Sequence, residues 1–190
     1  MGLKLYVYDW NDDRESFPPT NSLSIQAYLN SPPDWKAYLH NVIIVFDELS
    51  MDDNDSINGF GMLCNILPQL QEIADRLSEN KFAILRTAGE HQAVFFILQP
   101  AGSKILFSSL TNLPPDYLDY FPLEKSPQFF MDGRNQRELL YDFVEKHANT
   151  HPANPQYAFL EYLKNIEMDY ATLFQDLHEQ IELGHKLQKS

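Results

Sequence analysis

Three apolar runs decide the fold class of this chain: Phe82-Ala83-Ile84-Leu85-Arg86, Gln92-Ala93-Val94-Phe95-Phe96-Ile97-Leu98 and Lys104-Ile105-Leu106-Phe107. Each is rich in the β-branched and aromatic residues that pack well on a pleated surface. Thr87-Ala88-Gly89-Glu90 separates the first pair and Gln99-Pro100-Ala101-Gly102-Ser103 the second, both with turn chemistry. Strands joined so briefly pair with their sequence neighbours. Residues 82–107 therefore read as a three-stranded antiparallel meander.

Upstream, Val42-Ile43-Ile44-Val45-Phe46 is apolar without alternation, so both faces of this strand want cover and it is expected at the centre of the sheet. From Leu3 to Asp9, Leu3, Leu5 and Val7 alternate with Lys4, Tyr6 and Tyr8, the period of a half-buried strand. Residues 10–24, with Pro18-Pro19, read as a long surface loop. Ser24 to Leu29 reads as a short helix that Pro32-Pro33 ends. Leu70, Ile73, Ala74 and Leu77 recur at helical spacing, and Pro68 suits a first turn, which predicts a helix near 68–79 leaving through Ser78-Glu79-Asn80-Lys81. The pattern does not decide whether residues 57–67 form an earlier helical turn kinked at that proline.

Downstream, residues 113–130 are irregular but carry Tyr117, Tyr120, Phe121, Phe129 and Phe130, enough aromatic surface to pack on a core. Asn135-Gln136-Arg137-Glu138 has the form of a capping box and opens a helix with Leu139, Leu140, Phe143 and Val144 on one side. Pro152 and Pro155 break it. Phe159, Leu163, Ile166, Tyr170, Leu173, Leu177 and Ile181 then step by three or four, the stripe of one long final helix. The sum is an α+β fold: a mixed or antiparallel sheet of about five strands, one helix near 68–79 and two C-terminal helices. A single domain over 1–190 is expected, with the helical pair 134–188 packed on the sheet portion 1–133. The final stripe favours intramolecular packing, although a dimer through residues 155–185 would use the same face.

Composition bounds the rest. The chain has 190 residues, 44% of them hydrophobic, with 13 Phe and 10 Tyr, ample material for a core and too much for global disorder. No run approaches the ~18 apolar residues of a membrane span. Met1-Gly2-Leu3-Lys4-Leu5-Tyr6 lacks the layout of a signal peptide. Cys64 stands alone, so neither an internal disulfide nor a thiolate zinc cluster is available, and a reducing cytoplasmic setting is expected.

Charge is the strongest functional signal. The formal net charge is −13, and residues 1–60 hold ten acids against three bases, a net −7. Such a surplus disfavours nucleic acid, whose binding draws on Lys and Arg, and disfavours anionic lipid. It suits a basic protein partner, and it also suits simple solubility. Trp10, Asp12 and Asp13 follow the first strand, and Asp47, Glu48, Asp52, Asp53 and Asp55 follow the central one. Carboxylates grip guanidinium bidentately and an exposed tryptophan anchors an interface, so these eight residues are the candidate partner-binding set.

Catalytic constellations are thin. Aligned as a calcium loop on Gly59, the chain puts Asn54, Ser56 and Asn58 on ligand positions and Asn65 where a bidentate Glu is required, so that motif fails. An irregular magnesium or calcium site on Asp52, Asp53 and Asp55 is the remaining metal reading there. His147 and His151 stand at i, i+4, but Pro152 ends the helix and no Glu lies where a metalloprotease would place it. Gly59-Phe60-Gly61 is the nearest approach to a phosphate loop, with Cys64 in place of its third glycine. Cys64 itself, beside Asn65-Ile66-Leu67, reads as core. No motif asks for a cofactor. The leading expectation is thus a non-catalytic acidic protein that masks a basic partner, most concretely an immunity- or antitoxin-like inhibitor of a cationic toxin. Its rivals are a metal-dependent hydrolase built on the Asp52–Asp55 loop or on His147, His151, His178 and His185, and an acidic assembly subunit.

Overall fold

A computed structural model describes residues 2–9, 21–34, 41–46, 58–88, 93–110, 141 and 166–190. Among the described residues eight strands and three helices follow in the order β1 (Leu3–Tyr8), β2 (Ser22–Ser24), α1 (Ile25–Asn30), β3 (Asn41–Phe46), β4 (Asn58–Met62), α2 (Leu63–Ser78), β5 (Ala83–Ala88), β6 (Ala93–Ala101), β7 (Lys104–Leu110), β8 (Ile166–Asp169) and α3 (Tyr170–Lys189). The class is α+β. All pairings are antiparallel, in the spatial order β2-β1-β3-β4-β5-β6-β7-β8. At the middle, β4 meets β5 only through Phe60 opposite Ala88, so the sheet is in effect two four-stranded halves hinged at one residue pair.

The two halves fold toward each other. In a flat sheet β3 and β7, four positions apart, would lie roughly 19 Å from each other at ~4.8 Å per strand. Yet the Phe46 ring of β3 sits 4.6 Å from that of Phe107 in β7 and 5.2 Å from Phe96 in β6. Such contacts require strong curvature. The face carrying Leu3, Leu5, Val42, Ile44, Leu85, Leu98 and Ile105 closes around the apolar stripes of α2 and α3 to form one core. Two glycines let the layers approach. A Cβ at Gly61 would stand 2.6 Å from Ile66 Cδ1, and one at Gly184 of α3 would stand 2.4 Å from Leu67 Cδ2 of α2. On the opposite face of the sheet Ile43, Ile84 and Ile97 are buried too, which accounts for the unbroken apolar runs in β3, β5 and β6.

The sheet therefore has eight strands where about five were expected, and three short ones escape the sequence reading. β2 lies in the stretch read as loop, three residues that pair with Tyr6, Val7 and Tyr8. β4, Asn58-Gly59-Phe60-Gly61-Met62, is poor in strand formers and is held by five residue pairs with β3. β8 occupies part of the stripe assigned to the final helix. Ile166-Glu167-Met168-Asp169 alternates at period two, Met168 is buried, and the run pairs with β7. Asp169 then caps α3, accepting hydrogen bonds from the Thr172 backbone N–H at 2.8 Å and from the Thr172 hydroxyl at 2.8 Å. Helix α3 thus starts at Tyr170.

Helix α2 starts at Leu63, five residues before Pro68, which lies inside it rather than in its first turn. The stripe explains the longer helix: Leu63, Ile66 and Leu67 extend the buried series Leu70, Ile73, Ala74 and Leu77. Pro68 removes the amide that would bond the carbonyl of Cys64, a cost of about 3 kcal/mol in a helix interior. Both residues lie on the solvent side, where water can serve that carbonyl. The exit is a Schellman motif with Asn80 at φ 56°. Lys81 N–H donates to Arg76 C=O and Asn80 N–H to Leu77 C=O, each at 2.9 Å. At the β6–β7 hairpin Ala101 faces Lys104 across Gly102-Ser103, and Gly102 supplies the positive φ of 69° that a two-residue turn demands. The capping-box helix read from Asn135 lies outside the described residues except for Tyr141. No described helix is long and apolar enough to cross a membrane.

Candidate functional site

Strand edges need partners for their backbone groups, and here side chains supply several of them. Beyond its single pair with β4, β5 presents the N–H and C=O of Arg86 toward α2 and those of Ile84 toward Tyr141. Gln69 of α2 pairs with Arg86 at both points: its Oε1 accepts from Arg86 N–H at 2.9 Å and its Nε2 donates to Arg86 C=O at 3.1 Å. The same Nε2 lies 3.0 Å from Asn65 C=O. The Tyr141 hydroxyl accepts from Ile84 N–H at 2.7 Å and lies 3.4 Å from Ile84 C=O. Arg76 then covers the Tyr141 ring at 4.1 Å while donating to Phe82 C=O at 2.8 Å.

A parallel arrangement finishes β1. Strand β2 pairs only with residues 6–8, so Leu3 and Leu5 would present free amides at that edge. Asp176 accepts from Leu3 N–H and Gln180 from Leu5 N–H, each at 3.0 Å. The match is periodic: four helical residues rise about 6 Å, and two strand residues span about 6.6 Å. A helix here does the work of a neighbouring strand. The signal was present in the sequence, since Gln180 is a polar residue at a buried position of an otherwise apolar stripe. A buried amide asks for a buried partner.

All eight candidate partner-binding residues (Trp10, Asp12, Asp13, Asp47, Glu48, Asp52, Asp53 and Asp55) lie outside the described residues, as do His147 and His151. What the structure gives is their attachment. β1 and β3 are antiparallel, so the chain leaves Tyr8 toward Trp10 and leaves Phe46 toward Asp47 at opposite ends of the sheet. The register also gathers other connections. β3, β5 and β7 all end, and β4, β6 and β8 all begin, at the end that holds Leu3. Connections 47–57, 89–92 and 111–165 are thus joined to that one end, with Tyr141 of the last reaching back to Ile84.

Charge follows the same division. The described residues hold ten acids against seven bases, a net −3. The three connections joined at the Leu3 end hold fourteen acids against five bases, a net −9 of the total −13. Among described acids, hydrogen bonding from the Thr172 backbone N–H holds the Asp169 carboxyl below its usual range, and a hydrogen bond with Lys81 does so for Glu79.

Cys64 is exposed on the first turn of α2, contrary to the core position expected for it. The Phe174 ring packs against the His178 ring at 4.7 Å, and both His178 and His185 face solvent. Among the described residues no three His, Cys, Asp or Glu side chains come together as a metal site. No protein-family model, curated protein or solved structure matches this chain.

Proposed function

We propose that this chain is a non-catalytic acidic binding protein that covers a basic protein partner, in its most concrete form an immunity- or antitoxin-like inhibitor of a cationic toxin. One observation supports the reading most. A near-neutral framework carries connections of net −9 joined to a single end of the sheet. Negative charge gathered at that end would attract a cationic surface and orient it during approach, raising association rates by about 10- to 1,000-fold at low salt. Asp47, Glu48, Asp52, Asp53 and Asp55 would meet Lys and Arg of the partner, and Trp10 with Asp12 and Asp13 would add desolvated contact from the other end.

The test starts with capture of the partner from native lysate at low and high salt, followed by association kinetics. Changing Asp47, Asp52, Asp53 and Asp55 to Asn and Glu48 to Gln together is expected to lower the association rate about tenfold and to flatten its salt dependence. An association rate and salt slope equal to those of the unmodified chain would refute the assignment. For the inhibitor form, the captured partner should lose its activity on binding.

A further inference from the structure

We draw no further inference here: the strongest candidate, the inner edge of β5 at Ile84 and Arg86 where the sheet parts from β4, already has its backbone groups taken by Tyr141 and Gln69, and nothing in the structure shows what strand or partner would replace them.

Discussion

If Gln69 stands in for a strand beside Arg86, replacing its amide has a cost whose dependence on pH can be stated in advance. Gln69→Leu keeps roughly the volume and deletes both hydrogen bonds to the Arg86 backbone. A buried backbone group left without a partner costs about 1–3 kcal/mol. Gln69 and Arg86 are only half-buried, so water recovers part of this and the lower end applies to each group. The expected loss is about 2 kcal/mol, or a fall in Tm of roughly 4–8 °C for a chain of this size.

Gln69→Glu sharpens the test. A carboxylate still accepts from Arg86 N–H, but it also sets negative charge against the carbonyls of Arg86 and Asn65, where Nε2 now donates. Its neutral form, which donates through O–H, is favoured in the folded state, so the folded pKa lies above the unfolded one. The charge penalty is therefore absent below the unfolded pKa, near 4.3, where one O–H replaces the two donors of the amide. It grows as pH rises through the folded pKa. Urea denaturation of the parent and both variants at pH 7 and pH 4 measures this. Both variants within about 0.5 kcal/mol of the parent, the scatter of ordinary surface substitutions, would refute the role assigned to Gln69. A Glu variant with no pH-dependent penalty would refute the donor geometry.

Tyr141→Phe deletes the hydroxyl that satisfies Ile84 N–H and is expected to cost about 1–3 kcal/mol, with faster hydrogen exchange at the Ile84 amide as its local signature. Gly184→Ala forces a methyl group against Leu67 and is expected to cost about 1–3 kcal/mol. Added to Leu67→Ala it should cost less than on its own, a coupling above about 0.5 kcal/mol that a double-mutant cycle detects. The Asp169 carboxyl, held down by the Thr172 amide, supports α3 above the unfolded aspartate pKa and loses that support as pH falls through its own lower value. Carboxyl NMR titration should find it below the usual range, and Asp169→Asn should keep the cap while removing that pH dependence.

The apolar content of the sheet was legible in the sequence because β3, β5 and β6 are buried on both faces and write continuous runs, while β7 alternates buried Ile105 and Phe107 with exposed Lys104 and Leu106. The strands that escaped are the ones whose existence depends on a neighbour. β4, with two glycines in five residues, has little strand propensity of its own, and Gly61 is there to admit Ile66. β8 was hidden because Ile166 fits a helical stripe as well as an alternating strand, and only the free edge of β7 decides between them. Pro68 misled in the same way: local chemistry places it in a first turn, while the buried stripe from Leu63 outweighs it. For the candidate site, sequence supplied residue types and charge, and topology supplied what sequence cannot: which connections share an end of the sheet.

The pairing of Asp176 and Gln180 with Leu3 and Leu5 also bears on how the molecule is born. Strand β1 leaves the ribosome with an edge that residues 173 and 175 positions later complete. At 5–20 residues per second that is a wait of about 9 to 35 s. Through that interval the nascent β1 keeps two open amides beside apolar Leu3 and Leu5, a hazard for stray strand pairing. Slower synthesis should therefore lengthen the time in which β1 is open to misplaced strand partners.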